Sequence, residues 1–190
     1  MNDHDTGARN VPSAAGSRSI PRVDDSHALS IRALEERRLI HRNDSARVQA
    51  DAFRDLRTRL LSLGGDSNFV TMVAPVTAGC GGSFVARNLA AAFAFDETKL
   101  ATLVDCDALH PAQGSALGVD ASAGGLMDYI EGGVAQLQDV HYPTGLPRLY
   151  LLPSGSVREI AGESFSSLRM RTLVDSLRSS SPNRYIVLDS

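Results

Sequence analysis

Apolar positions divide the chain into short hydrophobic runs that alternate with longer amphipathic stretches and glycine-rich turns. Four runs rich in β-branched and aliphatic residues are predicted as strands, and the stretches between them have helical spacing. The predicted strands are 69–74, 101–104, 149–152 and 185–188, and the predicted helices among them are 83–95 and 165–178. Apolar strands that alternate with helices predict an α/β fold, a doubly wound, mostly parallel sheet covered on both faces.

The first 64 residues precede this alternation. Residues 1–26 are rich in Ser, Asp, Arg, Gly and Pro without periodicity, which predicts a disordered tail. Residues 27–64 are predicted as N-terminal helices, a marginal one over 28–41 and a second over 46–63. Asn43-Asp44-Ser45 is the predicted cap of the second helix, and Gly64-Gly65 is its predicted end. Its expected apolar face consists of Val48, Ala52, Leu56, Leu60 and Leu63.

Residues 65–190 form the predicted α/β domain. Ser190 directly follows the last predicted strand. Because doubly wound sheets usually continue with further strand–helix units, we expect the domain to be incomplete at its C-terminus.

Composition narrows the classes of function. The net charge of −3 argues against a general nucleic-acid-binding protein, which is usually basic. No run approaches the roughly 18 apolar residues of a membrane span, and the acidic start does not resemble a signal peptide. The two cysteines, Cys80 and Cys106, indicate a reducing compartment, and we interpret them as two small buried thiols rather than a redox lock. A cytoplasmic protein is therefore predicted.

The first predicted strand leads through a glycine-rich turn directly into a helix. In such a turn, backbone N–H groups curl around an anion, and the helix N-terminus adds partial positive charge. We predict phosphate binding by Gly79, Cys80, Gly81, Gly82 and Ser83, with the Ser83 hydroxyl also a ligand of Mg²⁺. An ordinary glycine-rich turn explains the loop alone equally well, because Gly82 replaces the lysine of the phosphate-loop signature.

Acidic residues end two of the predicted strands. Asp105 and Asp107 follow strand 101–104, and Asp189 follows strand 185–188. Ligands of open α/β sheets bind at the carboxyl ends of the strands. Asp105 and Asp107 are therefore the candidate catalytic residues, and Asp105 and Asp189 join Ser83 as candidate magnesium ligands.

The order of these motifs resembles the bacterial protein-tyrosine kinases of capsule and exopolysaccharide synthesis, the BY-kinases. That family belongs to the same P-loop class as the partition and division-site ATPases. Asp51, Arg54 and Arg57 match its Glu-x-x-Arg-x-x-Arg oligomerisation motif, with Asp for Glu. The sequence is also similar to the Walker motifs of the family: segment 79–83 resembles Walker A, 105–107 resembles Walker A′ and 185–189 resembles Walker B. Two further segments, 125–130 and 151–155, match other segments of the family sequence. The resemblance covers residues 46–190.

The resemblance implies ATP or ADP and Mg²⁺ as ligands. It also implies self-association, or association with a kinase paralogue, through Asp51, Arg54 and Arg57. A membrane adaptor of the polysaccharide co-polymerase type is the further partner that it implies, which would bring a cytoplasmic protein to the inner face of the membrane.

Several positions depart from the family pattern. The Walker A lysine is Gly82, and Lys99, the only lysine, precedes the second predicted strand, at the opposite sheet edge. Leu109 and His110 replace the arginines after the A′ acids, and the C-terminal tyrosine cluster is absent. Arg87 is expected to point along its helix.

These departures favour a degenerate kinase-like module with weak or no phosphoryl transfer. The alternative is an active tyrosine autokinase that borrows a cation, for example an arginine of a neighbouring subunit. A weaker alternative is a partition-type ATPase, whose second signature lysine is missing at Ala78.

Overall fold

The structure, a computed structural model, describes residues 29–41, 43–65 and 67–190. The predicted tail lies outside these residues. The helices are α1 (Ile31–Glu36), α2 (Arg47–Gly64), α3 (Gly82–Ala94), α4 (Gln113–Leu117), α5 (Leu126–Ile130), α6 (Gly162–Phe165) and α7 (Leu168–Ser179). The strands are β1 (Val70–Val73), β2 (Leu100–Asp105), β3 (Tyr142–Pro143), β4 (Leu149–Leu152) and β5 (Arg184–Asp189). None of the helices in these ranges is long and apolar enough to cross a membrane.

The five strands form one sheet in the order β1-β5-β2-β4-β3. The pairs β1–β5, β5–β2 and β2–β4 are parallel, and only the short β3 is antiparallel to its neighbour. The predicted mostly parallel α/β sheet is confirmed, and the four predicted strands correspond to β1, β2, β4 and β5. Because β2 and β5 are central and buried on both faces, they are continuous apolar runs rather than alternating ones.

Two predicted helices are shorter than their patterns suggested. The first ends at Glu36, because Arg38 has a positive φ of 53° that a right-handed helix does not accommodate. The last begins at Leu168, as α7, rather than at Phe165, since Ser167 adopts an extended conformation and its Oγ accepts a bond from the Met170 N–H at 3.2 Å.

One face of the sheet is covered by α2 and α3. The inner side of α3 is built of small and apolar residues, so the helix lies close to β2 and β5. Phe93 of α3 stacks on Tyr185 of β5 with ring centroids 4.7 Å apart. The other face is covered by α5 and α7, which bury a second apolar cluster. Helices on both faces establish the doubly wound arrangement.

The segment after α1 is attached to α3 by one buried amide. The Asn88 Oδ1 atom accepts a bond from the Ile40 N–H at 2.7 Å, and its Nδ2 atom donates to the Arg38 carbonyl at 3.0 Å. Leu39 and Ile40 are buried beside it. This attachment places residues 38–40 against the helix that follows the glycine-rich loop.

The predicted apolar face of α2 is wrong. Val48, Leu56 and Leu63 are exposed by 84%, 36% and 85%, respectively, and Ala52 is exposed as well. A step of four residues advances 400° around a helix, so a run of such steps drifts by about 40° at each step and leaves the face on which it began. The residues that pack inward follow mixed steps of three and four, and they are Ala50, Phe53, Arg57, Leu60 and Leu61.

The predicted cap of α2 is also wrong. A single 3₁₀ turn, Asp44–Ala46, precedes the helix, and Ala46 occupies the cap position. The Ser45 hydroxyl donates instead to Glu35 Oε1 at 3.0 Å. The predicted end is correct, since Gly65 follows the helix with φ 68°.

Candidate nucleotide-binding site

The glycine-rich loop between β1 and α3 has a phosphate-loop backbone. Gly79 and Gly81 have φ values of 74° and 91°, in the left-handed region that favours glycine. The Cys80 N–H donates to the Thr77 carbonyl at 3.3 Å, which closes the turn. The loop then enters the 13-residue α3 at Gly82. The first N–H groups of this helix have no intrahelical acceptor, so they are available to an anion at the loop.

A cavity of about 760 Å³ lies against this loop. The loop, the segment after β2 and the segment before α6 form its walls. The structure thus brings together Gly79, Cys80, Gly81, Gly82, Ser83 and Asp107, and it adds Arg87, Leu109, His110 and Arg158.

Asp105 and Asp189 do not line this cavity and are exposed by only 1% and 2%. They occupy paired positions at the carboxyl ends of β2 and β5. Gln113, which sequence reasoning missed, links Asp189 to the loop. Its Nε2 atom donates to Asp189 Oδ2 at 2.6 Å and to the Ser83 carbonyl at 2.9 Å. No single-sequence signal marks this glutamine, because its role depends on how β2 and β5 pair.

Asp105 organises the chain between β2 and α4. Its Oδ1 atom accepts from the Asp107 N–H at 3.2 Å, and its Oδ2 atom accepts from the N–H groups of Ala112 and Gln113 at 3.0 and 2.9 Å. Burial raises the pKa of Asp105 to about 6, and the neighbouring charge of Asp189 acts in the same direction. Because both oxygens of Asp105 accept backbone bonds, Asp105 affects the site by holding the turn between β2 and α4 in place.

Asp107 closes the same turn from its other end. Its Oδ1 atom accepts from the N–H groups of Leu109 and His110 at 3.1 and 2.8 Å. Asp107 also lines the cavity, where it is partly accessible.

Asp189 has the clearest capacity to hold a cation. Its Oδ1 atom is buried and has no hydrogen-bond partner among the described residues. Within those residues, no three His, Cys, Asp or Glu side chains form a group that could hold a metal ion. Mg²⁺ commonly binds through one or two protein ligands, with substrate phosphates and water completing the octahedron. Asp189 and Ser83 fit that kind of site.

The cations near the loop are arginines. Lys99 lies before β2, 3.4 Å from Asp96, at the opposite sheet edge, as predicted. Arg158 lines the cavity, but its guanidinium is bound to Glu131 at 2.8 Å. Arg87 points along its helix as expected, with Nε 3.4 Å from the Ser83 carbonyl, and in this direction it also lines the cavity.

Arg158 is positioned by a second polar cluster, centred on Asp128, that the sequence did not predict. Asp128 accepts bonds from the Gly125 N–H at 2.9 Å and from the Ser156 N–H and hydroxyl at 3.1 and 2.6 Å. Although burial opposes the change, these bonds from Ser156 and Gly125 lower the pKa of Asp128. Gly155 has φ 84°, and a Cβ atom there would collide with Asp128 Oδ2 and the Gly125 backbone, so a side chain would not fit. The cluster fixes the loop after β4.

The two cysteines are free thiols in contrasting surroundings, and both line the cavity. Backbone hydrogen bonds, that of Thr77 first, lower the pKa of the exposed Cys80. Burial raises the pKa of Cys106 to about 12, and the charges of Asp105 and Asp189 contribute to that rise.

The three residues of the predicted oligomerisation motif do not lie on one surface. Asp51 and Arg54 pair at 2.6 Å on the exposed side of α2. Arg57 turns inward, where its Nη1 atom donates to the Ala92 carbonyl of α3 at 2.9 Å. Only Asp51 and Arg54 of the motif are therefore paired on the exposed side of the helix.

No family model matches the sequence, and the curated proteins contain no match to it. Solved structures do match. The kinase domain of Escherichia coli tyrosine kinase ETK superposes with a TM-score of 0.67 and 23% identity, over 85% of this chain and 66% of that one. The kinase domain of VpsO gives a TM-score of 0.63 and 24% identity, over 74% and 68% of the two chains. The chain has the fold of the bacterial tyrosine-kinase domains.

The second group of similar structures is that of the septum-site-determining protein MinD. The Pyrococcus horikoshii protein, solved with Mg-ADP, gives a TM-score of 0.52 and 25% identity, over 64% of this chain and 48% of that one. The chain therefore spans between about half and two thirds of the length of these proteins. Both groups belong to the P-loop class that the sequence motifs predict.

Proposed function

We propose that this chain is a kinase-like, nucleotide-binding component of exopolysaccharide or capsule biosynthesis, with weak or no phosphoryl transfer. One observation carries the nucleotide site: glycines in a phosphate-loop conformation line a cavity, and Asp189, whose Oδ1 atom has no partner among the described residues, directly precedes Ser190 of the cavity wall. The tyrosine-kinase fold and the order of the motifs support the polysaccharide context.

In this proposal each part of the site has a separate task. The loop N–H groups and the α3 N-terminus bind the phosphates. Ser83 and Asp189 hold Mg²⁺, which neutralises phosphate charge when bound, and Asp105 supports that site through the turn that it holds. Asp105 and Asp107 are the proposed catalytic residues, through the turn that they position. With Gly82 in place of lysine, the site lacks a cation that phosphoryl transfer uses.

Calorimetry of Mg-ADP binding to the full chain tests the nucleotide site. We expect Mg²⁺-dependent binding, weaker than micromolar. Asp189→Asn should remove the dependence on Mg²⁺, whereas Asp175→Asn, at an exposed position on α7, should behave as the parent does. Binding that is identical with and without Mg²⁺, or identical in parent and Asp189→Asn, would contradict the proposed metal site.

Incubation with labelled ATP, followed by phosphotyrosine mapping, tests the absence of transfer. We expect no tyrosine phosphorylation by the isolated protein. All four tyrosines lie in the described residues, and Tyr150 and Tyr185 are buried. A robust signal that Asp105→Asn abolishes would establish the alternative function, an active ATP-dependent tyrosine autokinase.

The proposed partners follow from the resemblance. They are a second copy or a kinase paralogue, contacted through the exposed side of α2, and a membrane adaptor of the polysaccharide co-polymerase type. The proposed location is accordingly the cytoplasm, at the membrane through that adaptor.

A further inference from the structure

The cavity at the glycine-rich loop has lost its lysine but retains a cation that no carboxylate neutralises directly. Of the two arginines that line it, Arg158 is bound to Glu131 at 2.8 and 2.9 Å and lies 3.9 Å from Asp128. Arg87 has no carboxylate oxygen within 4.0 Å among the described residues. Its charge is therefore the one still free to meet an anionic ligand.

The position of Arg87 on α3 directs this charge toward the loop. Arg87 follows Ser83 by four residues, so both lie on the same side of the helix, about 6 Å apart along its axis. Side chains on a helix lean toward its N-terminus, over the preceding turn. The Arg87 Nε atom accordingly reaches the Ser83 carbonyl at 3.4 Å, and the side chain joins the cavity wall.

The surroundings of Arg87 favour an anion in this cavity. The side chain is half-buried, so its charge is only partly screened by solvent. The positive charge of Arg38 lies close enough to act on it, because Asn88 attaches the 38–40 segment to α3. Asp189 provides the opposing negative charge, and in the proposed function a magnesium ion takes up that charge.

We propose that Arg87 takes over the charge role of the missing lysine and contacts the polyphosphate of a magnesium nucleotide bound at residues 79–83. This inference rests on the proposed nucleotide-binding function. An arginine is protonated at every physiological pH and offers a planar pair of donors to phosphate oxygens.

Calorimetry on the full chain tests Arg87 with Mg-ADP, AMP and inorganic pyrophosphate as probes. Because an ionic hydrogen bond to phosphate is lost, Arg87→Gln and Arg87→Ala should weaken Mg-ADP and pyrophosphate binding by about ten- to a hundredfold. Binding of AMP should change less than about threefold, which a general loss of structure would not produce. Arg87→Lys should recover part of the affinity. Arg59→Ala is the matched control and should bind as the parent does, since it removes an exposed positive charge on α2 outside the cavity wall.

A lysine introduced at position 82 provides the decisive comparison of Mg-ADP binding. A Cβ atom at Gly82 would meet no atom closer than 3.5 Å, and the φ of Gly82 lies outside the left-handed region, so the backbone of the present loop accepts a side chain there, as in Gly82→Lys. The double variant Gly82→Lys/Arg87→Ala should bind Mg-ADP at least as tightly as the parent, because one cation has replaced another.

The outcomes separate the two proposals. If the parent binds Mg-ADP and Arg87→Gln binds it equally well, the role of Arg87 is overturned and the nucleotide site stands. If Gly82→Lys binds while the parent does not, Arg87 supplies no effective charge and the inference is likewise overturned. If neither parent nor Gly82→Lys binds, the proposed function and the inference are both overturned.

Discussion

At the scale of single residues, the most unusual side chain is Arg184 at the start of β5. It is 1% exposed, and only its Nη1 atom has a partner, donating to Thr102 Oγ1 at 3.0 Å beside His141 Nε2 at 3.3 Å. Its Nε and Nη2 atoms have no hydrogen-bond partner among the described residues. Burial of a charge without a paired carboxylate is unfavourable. Arg184 therefore lowers the stability of the fold, whereas an apolar residue at this buried position would raise it.

Arg184→Met should therefore leave the free energy of unfolding unchanged or raise it by up to about 2 kcal/mol. Thr102 and His141 remain hydrogen-bonded to each other at 3.1 Å, so the substitution leaves neither of them unpaired. Urea unfolding measures the change. Arg171→Met, at an exposed position on α7, is the control and should stay within about 0.5 kcal/mol. A loss of more than 1 kcal/mol in Arg184→Met would mean that the guanidinium makes favourable interactions beyond Thr102.

His141 predicts a pH dependence in the same cluster. Burial, together with the charge of Arg184, lowers the pKa of His141 to about 3 from an ordinary value of 6.5. Between these values the unfolded chain binds a proton that the folded protein does not, so stability from the neutral imidazole is present above pH 6.5 and is lost as the pH falls toward 3.

Urea unfolding between pH 4 and 7.5 should show this loss, with a limiting slope of about 1.4 kcal/mol per pH unit for one proton. The slope should be smaller in His141→Gln. Asp105 acts in the opposite direction, since its raised pKa of about 6 makes it favour the folded state at lower pH. Because Asp105 is unchanged in the variant, the difference between the two profiles isolates His141. Parallel profiles would show that His141 does not titrate differently in the two states.

At the scale of elements, α2 separates two arginines that the sequence motif treats alike. Arg57 is half-buried and donates to the Ala92 carbonyl of α3, whereas Arg54 is exposed and pairs only with Asp51. We expect Arg57→Ala to lower the free energy of unfolding by about 1–2 kcal/mol, through the lost bond and the lost packing of its stem. Arg54→Ala should change it by less than about 0.5 kcal/mol. Equal effects in urea unfolding would contradict the inward position of Arg57.

The elements also show what the sequence could predict. The strands and the glycine-rich turn were predictable because each is a local pattern whose burial follows from its own residues. The face of α2 was not, since apolar residues on steps of four drift around the helix while Arg57 takes an inward position. Gln113 and Asp128 could not be found either, because their partners come from distant strands and loops. A polar residue of that kind has no local signature.

At the scale of the whole molecule, the exposed side of α2 predicts self-association. It carries the Asp51–Arg54 pair, with exposed Val48 one turn before Asp51. Exposed ion pairs contribute little individually and are screened by salt, so the association should be weak, concentration-dependent and reduced at high salt. Light scattering at several protein concentrations, in low and high salt, measures it.

Two paired variants show which residues are responsible for the association. Asp51→Ala/Arg54→Ala should abolish it. The control Arg32→Ala/Glu36→Ala removes a more exposed ion pair of 2.8 Å on α1 and should leave the association intact. Arg57 is excluded from the test because it supports the packing of α2. If the α2 double variant associates as the parent does, the pair is only a solvated surface feature.

The open space at Gly82 has a consequence for how proteins of this fold are compared. A lysine would fit the existing backbone, so the loss of that side chain leaves no trace in the path of the chain. Backbone superposition on a tyrosine-kinase domain would give the same score for a complete loop and for this one. Within this fold, the path of the backbone therefore identifies where phosphate binds. A single side chain decides whether the site has every group that phosphoryl transfer uses.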